Sequence, residues 1–281
     1  MLEEYLLDYG YTEYEINKLK KLFSSNRYSQ STLLYNFKNY HQYFEKNNMT
    51  HQEIIHIMTI IPSILSESVE NTKAKINDLH ILGFNKLTIF SMIKNYPYIL
   101  ELSISKIEGK IEELEKLSFS KTNLNHILTE CPSILKNQIS FEQRIKYLED
   151  FGYSKKEIND IIIGSPSLLE ENEKSLDEKL KELQEIGFSN TDIIRITSII
   201  PKILTLSIQD IKEKLKDLLD FGYKEIDLVE IIKKIPFLLK DNYLDSIQNK
   251  LQFLLSYDFS KESIIFMTKK NPYIFCYSSE N

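Results

Sequence analysis

The chain has 281 residues, 42% of them hydrophobic, a net charge of −6 and only two cysteines, Cys131 and Cys276. No apolar run approaches the roughly 20 residues of a membrane span, and two cysteines supply neither a disulfide framework nor a Cys-x-x-Cys pair. An acidic total disfavours non-specific phosphate neutralisation, and the basic residues are lysines except for Arg27, Arg144 and Arg195, so phosphate would be met mainly by point charges.

The opening stretch, MLEEYLLDYG, carries acids and no early basic segment. It resembles neither a secretory signal nor an Arg-rich transit peptide, which taken alone implies a cytoplasmic protein. The next stretch, YGYTEYEINKLKKLF, offers Gly10 and the helix-capping pair Thr12 and Glu15, while Ser24 stands where later repeats have proline. A tyrosine-rich segment, YSQSTLLYNFKNYHQYF, takes the place of a second helix. Residues 1–47 are expected to form a degenerate N-terminal capping repeat, as the ends of stacked arrays do.

From residue 48 to 281 the chain is an internal repeat. All of its prolines form one series, Pro62, Pro97, Pro132, Pro166, Pro201, Pro236 and Pro272, spaced 34 to 36 residues apart. Each is followed by one variable residue and an apolar pair, from PSIL to PYIF. Fourteen residues before each proline stands Gly83, Gly152, Gly187 or Gly222, or in the other repeats Asn48, Ser118 or Asp258. A period of this length predicts a stacked array.

Each repeat predicts two helices. Thr50, Asn85, Ser120, Ser154, Ser189 and Ser260 are N-caps for a first helix, with Lys224 the exception; Thr50 with Glu53 and Ser154 with Glu157 complete capping boxes. About ten residues on, proline stops that helix and opens a short turn. Ser68, Ser103, Asn172, Ser207 and Asn242, with Gln138 a poorer candidate, cap a second helix of about fourteen residues. That helix ends at the glycine position, where a left-handed residue belongs. The aromatic after it, Phe84, Phe119, Tyr153, Phe188, Tyr223 or Phe259, packs back on the last turn; stacking of bases on this aromatic column is the weaker reading. The last repeat stops at NPYIFCYSSEN, half a repeat.

Stretches such as PSILSESVENTKAKINDLHILGF and PKILTLSIQDIKEKLKDLLDFGY resemble the mitochondrial transcription termination factor (mTERF) family. Its motif is a proline, a leucine two or three residues later, a Lys-Leu pair and then Leu-Gly. Pentatricopeptide repeats share the length but place proline soon after glycine. The resemblance implies an all-α solenoid, a right- or left-handed superhelix of two-helix repeats with short 3₁₀ turns. It also implies binding of double-stranded DNA or RNA in the regulation of transcription or RNA processing, within a mitochondrion or another organelle.

One set of residues is a candidate phosphate-binding row: Lys75, Lys110, Arg144, Lys179, Lys214 and Lys250 recur at one position of the second helix. Lys214 falls about 60° from Ile211 on a helical wheel, inside the apolar arc, so its stem should lie along the core with the ammonium pushed outward. Against this, Asp78, Glu113, Glu182 and Asp217 lie three residues on, a spacing that forms ion pairs within the helix. Further lysines, Lys94, Lys233, Lys234, Lys269 and Lys270, close first helices, where cations suit the helix dipole. Bases and acids balance at 12 each over 201–281, against 9 and 13 over 132–200, which places any nucleic-acid face toward the C-terminal repeats. The alternative is a protein-interaction scaffold. The histidines, at 41, 51, 56, 80 and 126, show no metal-ligand spacing, and no phosphate loop or nucleophile motif occurs. The chain is expected to be a binding protein rather than an enzyme, with no cofactor, membrane contact or small-molecule substrate.

Overall fold

A computed structural model describes residues 2–23, 29–136, 140–240 and 244–277. Among the described residues it contains α-helices and 3₁₀ turns and no strand. The chain divides into two compact bodies, Met1–Gln138 and Ile139–Asn281. The N-terminal body holds α1 (Leu2–Tyr9), α2 (Glu13–Phe23), α3 (Gln30–Glu45), α4 (His51–Ile60), α5 (Val69–Ile81), α6 (Lys86–Asn95), α7 (Ile104–Lys116) and α8 (Lys121–Glu130). Its 3₁₀ turns are Pro62–Ser66, Pro97–Leu100 and Pro132–Lys136. The C-terminal body holds α9 (Phe141–Phe151), α10 (Lys155–Gly164), α11 (Glu173–Ile186), α12 (Asn190–Ile199), α13 (Ile208–Phe221), α14 (Glu225–Lys234), α15 (Leu244–Ser256) and α16 (Lys261–Lys270). Its 3₁₀ turns are Pro166–Leu169, Pro201–Leu204, Pro236–Leu239 and Pro272–Cys276.

Within each body, first helices pack on first helices, α4 on α6 and α6 on α8, then α10 on α12 and α14 on α16. Second helices pack on second helices, α3 on α5 and α5 on α7, then α11 on α13. The core between the layers is apolar, with Ile57, Leu65, Ile93, Leu114 and Ile127 buried in the first body and Ile161, Leu180, Ile196 and Leu238 in the second. Among the described residues no helix is long and apolar enough to cross a membrane.

The first helices α4, α6, α8, α10, α12, α14 and α16 are all ten residues long, because both ends are fixed by sequence. At the start, Thr50, Asn85, Ser120, Ser154, Ser189 and Ser260 each accept a backbone N–H from the third residue of the helix. The boxes of Thr50 with Glu53 and Ser154 with Glu157 form as the spacing predicts, and Asp192 closes another with Ser189. Lys224 has no acceptor to offer; Asp227 compensates in part by accepting the Lys224 N–H at 3.4 Å. At the far end the residue before proline leaves the α region, with ψ of 65° at Ile61, 78° at Ser165 and 75° at Ile235. Proline then opens the 3₁₀ turn at a position that needs no N–H donor.

Second helices end in a left-handed residue. Gly83, Gly152, Gly187 and Gly222 hold φ between 96° and 124°, and Asn48, Ser118 and Asp258 hold 62°, 62° and 61°. The following aromatic closes the motif, Tyr153 N–H donating to Leu148 O at 3.1 Å and Phe188 N–H to Leu183 O at 3.2 Å. Phe84, Phe119, Tyr153, Phe188 and Tyr223 are all buried, so this column is packing rather than an open stacking surface.

Two assignments differ from the sequence reading. The residues before Gly10, given no structure there, form α1, and Tyr11 N–H donates to Leu6 O at 2.9 Å to close it in the same left-handed motif. The cap of α9 is Ser140, whose hydroxyl accepts from Glu142 N–H; the expected Gln138 lies outside the described residues, as do Ser24, Arg27 and Asn242.

Candidate nucleic-acid interface

The row expected on the second helices is turned inward at its middle members. Lys110 is 7% exposed, Arg144 1% and Lys179 6%. The Lys75 ammonium donates to the main-chain carbonyl of Leu102, and that of Lys250 to the carbonyl of Phe275, each in or just after the 3₁₀ turn of the next repeat. Lys110 meets Glu113 at 3.0 Å, the within-helix pair its spacing suggested. The guanidinium nitrogens of Arg144 and the ammonium of Lys179 are buried without a hydrogen-bond partner. Burial pushes the Arg144 guanidinium down from its ordinary value, opposed by Glu171, Glu173 and Glu170. It does the same to Lys179, opposed by Glu182 and Asp210, and to Lys75, opposed by Asp78. The Lys214 side chain is outside the described set. The expectation of charged groups pushed outward thus fails for Lys110, Arg144 and Lys179, while Lys75 and Lys250 are half-buried, each on a carbonyl of the next repeat. The helical wheel treats a helix as isolated, whereas the neighbouring repeat covers this edge.

The lysines that close first helices have a more specific role than serving the dipole. Glu53 at the start of α4 pairs with Lys94 at the end of α6 at 2.8 Å. Asp192 of α12 lies 3.7 Å from Lys233 of α14, and Asp227 of α14 lies 2.6 Å from Lys269 of α16. The capping acid nine residues before one proline therefore bridges to the lysine three residues before the next. Sequence reasoning missed this ladder, although the fixed offsets in register with proline were its visible signal.

Beside the ladder, the C-terminal body presents a different cationic face. It is formed by the residues six and two before each proline, which share a face of the first helix, and by the residue just after it. In successive repeats these are Arg195 and Lys202, then Lys234 and Phe237, then Phe266, Lys270 and Tyr273. A groove lined by Gly164, Pro201, Lys202, Leu206, Leu239 and Lys240 runs along this side. The Arg195 guanidinium reaches the Lys233 carbonyl of the next repeat. Lys240 lies 4.7 Å over the Phe237 ring and Lys270 5.8 Å over the Phe266 ring. Two acids stand at equivalent positions in this body, Asp160 in its first repeat and Glu230, and Glu230 is held by Lys233 at 2.9 Å. In the N-terminal body the same positions carry His56, Ser63, Ser91, Asn95, Tyr98, His126, Glu130 and Ser133, without a lysine or arginine. Among the described residues no cluster of His, Cys, Asp and Glu could hold a metal ion.

A ten-residue helix, a proline-opened turn and a second helix closed by a left-handed residue, recurring in step with every proline of the chain, define a helical-repeat protein. The mTERF family model matches residues 4–141 and again residues 135–281. The chain belongs to the mTERF family. No curated protein matches the sequence.

Proposed function

We propose that the protein binds DNA or RNA along the basic face of its C-terminal body and through that contact regulates transcription or RNA processing. The observation that carries this reading is the concentration of Arg195, Lys202, Lys234, Lys240 and Lys270 on one side of consecutive repeats, where a local field attracts phosphate despite a negative total. Family membership supports the same reading. Lys75 and Lys250 brace their second helices against the next turn, Lys110 is taken up by Glu113, and Arg144 and Lys179 are buried, so these residues serve the stacking of repeats rather than meeting phosphate directly. Residues 1–47 cap the array.

Fluorescence anisotropy of labelled DNA and RNA across about 50–300 mM salt tests the proposal. The logarithm of the binding constant is expected to fall linearly with the logarithm of salt. Combining Lys202→Glu, Lys234→Glu and Lys270→Glu should remove about three phosphate contacts and flatten the slope by about 3. A salt-independent signal, or an unchanged slope in the triple variant, would reject this face. The scaffold alternative is favoured by Phe259, the one exposed member of the buried aromatic column, and it predicts no salt-dependent binding at all.

A further inference from the structure

Three aromatic rings on this same face are open to solvent: Phe237 is 43% exposed, Phe266 64% and Tyr273 53%. None closes a helix, and Phe237 and Tyr273 occupy the variable position after proline, which elsewhere carries Ser63, Ser133, Ser167 or Lys202 and, once, another exposed ring, Tyr98. Phe266 stands where the other repeats place His56, Ser91, His126, Asp160, Arg195 and Glu230. Exposing large rings at positions that are mostly polar costs solvation and contributes nothing to the core; the C-terminal body carries three of them on consecutive repeats, the N-terminal body one, Tyr98. Two of the rings have a cation beside them, Lys240 over Phe237 and Lys270 over Phe266.

A flat ring beside an ammonium matches a nucleotide with its base unpaired, the ring stacking on the base face and the lysine meeting the phosphate. A duplex hides those faces within its own stack. Spacing leads to the same conclusion. The first helices α14 and α16 pack against each other, and packed helices lie about 8–10 Å apart. Rings on successive repeats are therefore more than twice as far apart as the roughly 3.4 Å rise of a stacked strand. They suit bases splayed apart rather than a continuous stack.

We infer that Phe237, Phe266 and Tyr273 are stacking platforms for unpaired bases, so that the C-terminal body prefers single-stranded DNA or RNA, or an unpaired stretch within a duplex. The inference rests on the nucleic-acid reading above and deepens it. Charge complementarity selects this occupant: an anionic strand fits rings interleaved with Lys234, Lys240 and Lys270, whereas an apolar protein partner would leave those lysines unmatched.

The experiment compares the full chain with a Phe237→Ala, Phe266→Ala, Tyr273→Ala variant. Each is titrated with a labelled mixed-sequence single strand of about twelve nucleotides, near the upper site sizes seen for single-strand binders, and with its duplex, circular dichroism confirming equal helicity. The single strand is expected to bind wild type at least tenfold more tightly than the duplex, and the variant to lose at least tenfold on the single strand while duplex binding holds. Equal affinity for the two forms overturns the inference while leaving the nucleic-acid reading standing. So does full retention of single-strand binding by the variant, which would assign the rings to a protein contact. Loss of binding to both forms in wild type would remove both readings.

Discussion

Ser118 holds a φ of 62° at the end of α7, in a region that costs a residue with a Cβ roughly 1–2 kcal/mol. The equivalent positions in four repeats are glycine, which reaches this conformation without that cost. Ser118→Gly is therefore expected to stabilise the N-terminal body by about 1 kcal/mol, less a few tenths for the added freedom of the unfolded chain, read as a raised midpoint in urea. Arg144 presents the opposite problem, a guanidinium 1% exposed with no hydrogen-bond partner. Replacing an unsatisfied buried charge by an apolar side chain of similar length is often neutral or stabilising, by about 1–4 kcal/mol. Arg144→Met should leave the protein as stable or more so and keep its nucleic-acid affinity, whereas a phosphate ligand at this site would show the reverse. Sequence reading placed Arg144 at the correct edge of its helix but could not say what covers that edge, because the covering turn lies about 25 residues downstream. A subtler correlation was open to it. Where the aromatic after the helix is Tyr153 or Tyr223, the next repeat supplies Thr197 or Thr268, and their hydroxyls meet at 2.8 and 2.6 Å. Where it is Phe188, the next repeat supplies Ile232 at the same offset.

At the scale of the element, two glycines inside helices are alike by propensity and opposite in packing. A Cβ on Gly164, the last residue of α10, would come within 2.5 Å of Pro201 Cγ in the next repeat, while one on Gly109, within α7, meets nothing within 4 Å. Gly109→Ala should stabilise α7 by about 1 kcal/mol through helix propensity. Gly164→Ala should instead cost about 1–3 kcal/mol, as overpacking does, since a proline ring cannot swing aside. Thermal melts of the two variants, compared for the sign of the shift, check the close approach of α10 to the turn at Pro201. Helix lengths and boundaries were legible here because proline, the capping residue and the left-handed residue are local signals with known stereochemistry. The ladder of Glu53 with Lys94 and Asp227 with Lys269 was less so, being a pairing between repeats. Helix α1 escaped the reading because its eight residues have no cap within the sequence before them, although Gly10 already marked its end.

At the scale of the whole molecule, the two bodies share a repeat but differ in what titrates. All five histidines lie in the N-terminal body, at 41, 51, 56, 80 and 126. His41 is buried, its ring nitrogens 2.8 Å from the Tyr5 hydroxyl and 2.9 Å from that of Tyr11. The Tyr9 ring stacks on it at 3.7 Å between centroids, and Tyr9 donates to Glu45, which also meets His51 at 3.1 Å. Burial first, and the neighbouring His51 second, hold the His41 imidazole down at about 3 against an ordinary 6.5. The folded chain therefore keeps His41 neutral while the unfolded chain takes up a proton below pH 6.5, so stability is complete above that value and falls as the solution is acidified toward pH 3. One such group costs about 1.4 kcal/mol per pH unit within that window. Between pH 6.5 and 5 the carboxylates whose hydrogen bonds and ion pairs lower their proton affinity, Glu53 in this body and Glu157, Asp177, Asp192 and Glu262 in the other, stay largely ionised in both states, which leaves His41 as the buried group that responds there. Hydrogen exchange of the full chain, corrected for intrinsic rates, should show α1 and α3 losing about 2 kcal/mol of protection over that interval while α10 to α14 hold theirs. His41→Gln, which retains a neutral donor and acceptor against Tyr5 and Tyr11, should abolish the difference; an acid response that survives the substitution would place the sensitive group elsewhere.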